Sequence, residues 1–219
     1  MRIDKNSIPE VSLSLVLAAA LIFLLFRFQK LAWVSWSFSI VIAASAIFIF
    51  CFHRVPRRNK AGEDRKVSAV ADGQVVIIEK TFEGEWLRKD SMKVSIYMNF
   101  FDVHANFWPV SGTVRYRKYY KGQHHMAFMP KASEENEHFC TGIVTPSGKE
   151  VFFKQIAGTF ARRIESYSTP GLKTVAGEQC GIIKLGSRID IYLPADASVR
   201  VSVGDKVRAC ETVIAELKA

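Results

Sequence analysis

Cysteine is scarce in this chain. Its four cysteines, at positions 51, 140, 180 and 210, are scattered, and no two stand in CxxC spacing. A zinc ribbon, a CxxC redox pair and a disulfide framework all need such pairing, so the reading is a reduced, cytoplasmic protein. His124, His125, His138 and Cys140 match no standard zinc spacing, and no metal is expected. A recognisable nucleic-acid motif is also missing. The 30 Lys and Arg exceed the 21 Asp and Glu, giving a net charge of +9. A basic protein facing a membrane accounts for that balance, and no nucleic acid partner is expected. No small-residue cleavage site precedes a polar start, and the amino-terminal apolar stretch is too long for a signal peptide. Nothing marks a pyridoxal site.

What is present begins with two apolar runs, residues 11–26 and 31–52, separated by Arg27-Phe28-Gln29-Lys30. A membrane span needs about 20 apolar residues. The second run meets that length. The first meets it if it starts near Ile8 and tolerates Glu10. A helical hairpin with both ends on one side is one reading; one full span plus a shallow interfacial segment is the other. After the second run come His53, Arg54, Arg57, Arg58, Lys60, Arg65 and Lys66, offset only by Glu63 and Asp64. By the positive-inside rule this flank, and the domain behind it, face the cytoplasm. Arg2 and Lys5 suit the same side, while Arg27 and Lys30 in the turn weigh against the hairpin. The flank should also hold the domain against an anionic lipid surface. Residues 1–52 are therefore expected to be a membrane anchor and 53–219 the remaining domain.

Pro56 and the charged stretch 57–66 read as a linker, and from Val67 onward the chain reads as β-structure. Val75–Ile78, Val94–Met98, Gly112–Tyr116 and Val151–Phe153 are strand-like and bounded by Gly, Pro and Ser. Residues 131–138 read as a polar loop. Ile189, Ile191 and Leu193 alternate with Arg188, Asp190 and Tyr192, which predicts a half-buried strand. Val203-Gly204-Asp205-Lys206-Val207 before Thr212–Ala215 looks like the turn of lipoyl and biotinyl domains. No lysine stands in the setting that such domains modify, so the likeness is one of architecture. The expected fold is mainly β (α+β), a barrel-sandwich-hybrid-like domain behind an amino-terminal transmembrane helical anchor.

Three short motifs stand out: Leu185-Gly186-Ser187 before the last long strand, Phe101-Asp102-Val103-His104, and Ala71-Asp72-Gly73. Read alone, Asp72-Gly73 between apolar stretches is a hairpin turn. His104 alone is a strand-end histidine making a structural hydrogen bond. Around them lie Phe52-His53-Arg54-Val55-Pro56, Asp102–Asn106 followed by Pro109-Val110-Ser111-Gly112, Ala132–Glu137, and Ile156-Ala157-Gly158 with Ala161-Arg162-Arg163-Ile164. In this order the motifs resemble the phosphatidylserine decarboxylase proenzymes in their short form, over nearly the whole chain.

The resemblance implies a chain that cuts itself between Gly186 and Ser187. The Ser187 hydroxyl attacks the Gly186 carbonyl, an N-to-O acyl shift gives an ester, and β-elimination leaves dehydroalanine. Water converts that to a pyruvoyl group and ammonia. A β chain of 1–186 and an α chain of 187–219 would remain as a heterodimer. Glycine at 186 suits the attack, since it lacks Cβ and accepts a positive φ. Decarboxylation needs an electron sink that no ordinary side chain supplies. The pyruvoyl cofactor made from Ser187 supplies one by forming a Schiff base with the amine of phosphatidylserine in the membrane, giving phosphatidylethanolamine and CO2. His104 is the expected proton donor to the carbanion. The resemblance carries to Asp72 a role in self-cleavage.

Two positions depart from the family pattern. Phe107 stands where longer members carry a second histidine, so His104 serving both steps and a distant histidine such as His125 contributing both stay open. His138 stands where an arginine is expected. Arg162 and Arg163 suit a phosphodiester by their fork geometry, but neighbours on a strand face opposite ways and at most one would reach the site. Two rivals remain: the same chemistry on another serine phospholipid such as archaetidylserine, and a membrane-tethered barrel-sandwich binding module without catalysis, which predicts an intact chain.

Overall fold

The structure, a computed structural model, describes residues 1–59, 65–129, 131–159, 163–184 and 186–218. Lys60, Glu63 and Asp64 of the basic flank, Ala161 and Arg162 of the double-arginine segment, and Leu185 lie outside them. The chain forms two units, Met1–Arg57 and Arg58–Ala219.

The first unit is a helical hairpin. Strand β1 (Arg2–Ile3) and a 3-10 turn over Lys5–Ser7 lead into α1 (Ile8–Phe28), and α2 (Ala32–Phe52) runs into β2 (Arg54–Val55). Asp4 caps the turn, its Oδ1 accepting from the Asn6 N–H at 3.1 Å and the Ser7 hydroxyl at 3.2 Å. Pro9 sits in the first turn of α1, where its missing N–H costs no hydrogen bond. Each helix has 21 residues, a length of about 30 Å that matches a bilayer's hydrocarbon core. The two pack together, with Phe26 edge-on to Trp36 at 5.2 Å. β1 pairs with β2, Arg2 opposite Val55 and Ile3 opposite Arg54, and the Asp4 N–H donates to the His53 carbonyl at 3.0 Å. Both ends of the hairpin therefore meet, despite Arg27 and Lys30 at the turn. Leu13, Val16, Phe23, Trp33, Phe38 and Ile40 stay exposed on its sides, and both helices are long and apolar enough to cross a membrane.

The second unit is mainly β. It contains β3 (Lys66–Ser68), β4 (Gly73–Glu83), β5 (Lys89–Met98), β6 (Ala105–Phe107), β7 (Gly112–Tyr120), α3 (Ala132–Glu135), β8 (His138–Val144), β9 (Glu150–Ala157), β10 (Ile164–Ser166), β11 (Lys173–Thr174), β12 (Gln179–Ile183), β13 (Ser187–Pro194), β14 (Ser198–Val199), β15 (Lys206–Val207) and β16 (Val213–Glu216). An antiparallel sheet in the order β11-β7-β8-β9-β13-β5-β4-β15 curls into a half-barrel. Two smaller sheets, β10-β12-β6 and β14-β16-β3, complete the unit. Val94, Ile96 and Met98 of β5, Phe153 of β9, and Ile189, Ile191 and Leu193 of β13 fill its core. Each such side chain removed from water contributes about 1.5–3 kcal/mol.

Three expectations need correction. β13 is buried on both faces, not half-buried: Ser187 to Leu193 are all buried. Arg188 and Asp190, two apart and so on one face, form a fully buried pair, with Nε to Oδ1 at 2.5 Å and Nη2 to Oδ2 at 2.9 Å. The excursion after β7 covers them, as the Ser133 hydroxyl donates to Asp190 Oδ2 at 2.5 Å and the Met129 carbonyl accepts from Arg188 at 3.2 Å. An alternation of charged and apolar residues looks the same whether water or an ion pair satisfies the charges. Second, residues 131–138 are not a loop throughout. Ala132–Glu135 form one helical turn whose Ala132 and Ser133 are buried, and His138 already begins β8. Third, Asp72-Gly73 is no hairpin turn. The strands on either side belong to different sheets, β3 pairing with β16 and β4 with β5 and β15.

Candidate active site

Ser187 opens β13 between two neighbours, opposite Met98 of β5 and Ala157 of β9. It is fully buried, and its hydroxyl points at the Met98 sulfur, 3.8 Å away. A thioether is a weak acceptor, so this contact leaves the oxygen lone pairs uncommitted. Gly186, just before it, has a φ of +65°. An L side chain there would meet its own backbone, at a cost of about 1–2 kcal/mol. The Gly186 carbonyl also packs flat against Gly158, at the end of β9. A Cβ at 158 would collide with the carbonyl oxygen, lie 3.1 Å from its carbon, and press on Ala127 Cβ at 3.2 Å. Gly158 is thus a glycine because the carbonyl carbon expected to be attacked rests on it.

His104 reaches the same peptide. It follows a turn closed by Asn99 and Asp102, in which Asp102 Oδ2 accepts from the Asn99 N–H at 2.8 Å and Asn99 Oδ1 from the Phe101 N–H at 2.8 Å. Residues that accept from nearby backbone amides favour such turns. The imidazole is fully buried. The Gly186 N–H donates to its Nε2 at 3.3 Å, and its Nδ1 lies 3.0 Å from the Asp102 carbonyl. An amide can only donate, so Nε2 holds the lone pair and Nδ1 carries the proton, which it gives to the carbonyl. The ring is the neutral tautomer with its basic nitrogen at the expected cleavage point. His125 is engaged by another partner, its Nε2 2.9 Å from Glu135.

Asp72 is placed differently. It grips Arg58 with both oxygens, one pair at 2.7 Å, and its Oδ1 accepts from the Ala209 N–H at 2.9 Å. The Asp72 hydrogen bond to Arg58, opposed by burial, raises the Arg58 guanidinium above its already high value. Among the described residues no hydrogen bond joins Asp72 to His104, Gly186 or Ser187. Phe107, in place of a second histidine, is buried and its N–H donates to the Val70 carbonyl at 2.8 Å.

A cavity of about 210 Å³ ends on Gly186, lined also by Tyr97, Phe100, Met126, Ala127, Phe128, Gly158 and Thr159. Behind Ser187 lies a buried amide pair that sequence reasoning missed. Gln155 Nε2 donates to Asn106 Oδ1 at 2.8 Å, and Asn106 Nδ2 points at the same Met98 sulfur from 3.9 Å. Their only signal was polar residues inside otherwise apolar strands. Gly158 gave none, because a glycine after an apolar strand usually marks only its end.

Of the four residues weighed as metal ligands, His138 and Cys140 do meet, with Glu85, their ligand atoms within 4.8 Å of one another. Each is already engaged. Glu85 accepts from Tyr116 at 2.8 Å and from the Cys140 thiol at 3.3 Å, with Lys154 at 3.7 Å. Burial alone would raise the Glu85 carboxyl, but hydrogen bonds from Tyr116 and Tyr120 and the Lys154 charge hold it below its ordinary value. Burial drives the Cys140 thiol far up, away from the thiolate a metal requires.

Comparison with known proteins shows the family. The phosphatidylserine decarboxylase family profile matches residues 45–215. A phosphatidylserine decarboxylase proenzyme of Parabacteroides distasonis is 41% identical over 183 residues, 82% of this chain and 83% of its own. One from Nitrosomonas europaea is 40% identical over 181 residues, 83% of each chain. One from Bacteroides fragilis reaches 44% over 168 residues, 76% of this chain and 74% of its own.

Proposed function

The chain belongs to the phosphatidylserine decarboxylase family and is a carboxy-lyase acting on phosphatidylserine, and from this premise we propose that it activates itself at Gly186-Ser187 and works with a pyruvoyl group made from Ser187. One observation carries the reading: a left-handed glycine whose N–H is held by a buried histidine, directly before a buried serine. The proenzyme names of its relatives support the same processing.

His104 takes the Ser187 proton, releasing the Gly186 N–H to do so. The serine oxygen adds to the Gly186 carbonyl carbon and the C–N bond breaks as His104 passes the proton to the nitrogen, giving the ester and a free amine at 187. Loss of the Cα proton with cleavage of the Cβ–O bond frees Gly186 as a carboxylate. Asn106, oriented by Gln155, shares the Met98 sulfur with the Ser187 hydroxyl and is the amide placed to steady this side of the site. Asp72 supports the step at a remove, by fixing the Ala209 turn with Arg58. A pyruvoyl group at 187, made from the dehydroalanine by uptake of water and loss of ammonia, would supply the electron sink for decarboxylation of the bound amine. His104 then returns a proton to the substrate carbon. The surroundings fit such a group: Ser187 is fully buried, a cavity ends on Gly186 beside it, and His104 reaches the same peptide.

The two chains would stay together after the cut. β13 belongs to the new α chain yet lies between β9 and β5, and β15 and β16 pair with β4 and β3. The helical hairpin would cross the cell membrane with its basic ends, Arg2, Lys5, Arg54 and Arg57, on the cytoplasmic side, against anionic lipid.

Intact mass under denaturing conditions tests the reading. The purified chain should separate into two, the smaller beginning at residue 187 and lighter than its serine form by one ammonia. Ser187→Ala should stay full length and inactive. A wild-type chain that stays whole in an active membrane preparation would refute self-cleavage here.

A further inference from the structure

The cavity that reaches Gly186 opens between two segments that push large apolar side chains into solvent. Phe100 and Phe101 stand on the turn after β5, and Met126, Phe128 and Met129 on the excursion after β7. Phe101 is 80% exposed and Phe128 53%. Phe100, Met126 and Phe128 line the cavity itself, and Phe128 meets the Tyr97 ring edge-on at 6.1 Å.

Both segments are built rather than loose. Asn99 and Asp102 close the first with the hydrogen bonds described above. In the second, the Met129 N–H donates to the Met126 carbonyl at 2.9 Å, and the Met129 carbonyl holds Arg188 of β13. Single exposed apolar residues are ordinary on protein surfaces. Here Phe100, Met126 and Phe128 line a cavity that ends on the reactive peptide, with exposed Phe101 and Met129 next to them in the chain, and such clusters mark interaction sites.

We propose that this rim is the surface by which the domain enters the headgroup layer of a phospholipid bilayer, so that a lipid headgroup passes from the bilayer into the cavity without crossing water. The proposal rests on the phosphatidylserine decarboxylase reading. The substrate's acyl chains stay in the bilayer while its serine headgroup must reach a fully buried residue 187. Aromatic side chains suit the membrane interface, and methionines adapt to an irregular apolar surface. A water-soluble partner would instead call for a polar mouth.

The test uses the full chain reconstituted in phosphatidylcholine vesicles containing phosphatidylserine. Phe101→Asp should lower kcat/KM on vesicle phosphatidylserine about tenfold, while decarboxylation of monomeric short-chain phosphatidylserine and self-cleavage stay within about twofold of wild type. Phe101→Trp should restore the vesicle rate. Unchanged rates on vesicles, or equal losses on both substrates, would overturn the rim. A wild type inactive on both substrates would instead sink the enzymatic reading. In that case a nitroxide on Phe101→Cys, in a Cys51→Ser background, still decides the rim. Relaxation by oxygen above that by an aqueous nickel complex supports it, and the reverse refutes it.

Discussion

His104 and Gly158 act on the same peptide through opposite properties. His104 brings a basic nitrogen to the Gly186 N–H at 3.3 Å, and Gly158 brings nothing, which lets the carbonyl rest against strand β9. His104→Ala should abolish decarboxylation, read as CO2 release from labelled phosphatidylserine; full activity in that variant would remove the assignment. Gly158→Ala puts a methyl where the Gly186 carbonyl now lies. Its self-cleavage should slow by at least about tenfold, a shift of about 1.4 kcal/mol in the barrier, read as the decay of full-length chain on gels. A circular dichroism spectrum like that of Ser187→Ala would show that the fold persists. His104 stood out in the sequence because its motif matches the resembled family and a histidine can donate a proton near working pH. Gly158 did not, since only the pairing of β9 with β13 shows what its missing side chain avoids.

Strand β13 buries charge where its pattern suggests solvent, and β8 buries a histidine. Asp190 neutralises Arg188 with neither side chain exposed. Removing one partner of a buried pair leaves the other charged and dry, at a cost of about 3–5 kcal/mol. Asp190→Ala in the uncleaved Ser187→Ala background should lose stability of that order in urea denaturation; a loss within about 0.5 kcal/mol, the usual surface range, would mean the pair is solvated. On β8, burial lowers the His138 pKa below its ordinary 6.5, although its hydrogen bond to the Asn136 carbonyl partly offsets the effect. The sign follows from linkage. Below pH 6.5 the unfolded chain takes up a proton that folded His138 refuses, so stability present above that pH is lost as pH falls toward the lower folded value. His138→Gln should flatten this part of the Tm against pH curve between pH 8 and 5, and an unchanged slope would assign the acid sensitivity to other groups. Strand existence was readable at β4, β5, β7 and β9 from short β-prone runs bounded by Gly, Pro and Ser. The double burial of β13 was not, because the residues covering it come from the excursion after β7.

The whole chain joins an apolar hairpin to a β domain. The pairing of β1 with β2 brings both hairpin ends together. In closed vesicles an impermeant thiol reagent should therefore reach Lys5→Cys and Arg57→Cys from one side and Gln29→Cys from the other. Reaction of Lys5→Cys and Arg57→Cys from opposite sides would leave a single span.

The sequence by itself determined the kinds of element and the order of the reactive motifs. Helix length follows from the apolar runs, strands follow from period-two alternation, and glycine before serine is local chemistry. Only the tertiary structure decided which of these meet. His104 and Gly186 lie 82 residues apart, and Asp72 turns to Arg58 instead of Ser187. Local pattern specifies what a segment can form, whereas the neighbour of each strand is settled by how the whole sheet closes over its core. That closure sets a histidine, a glycine without side-chain bulk and a buried serine around one peptide bond.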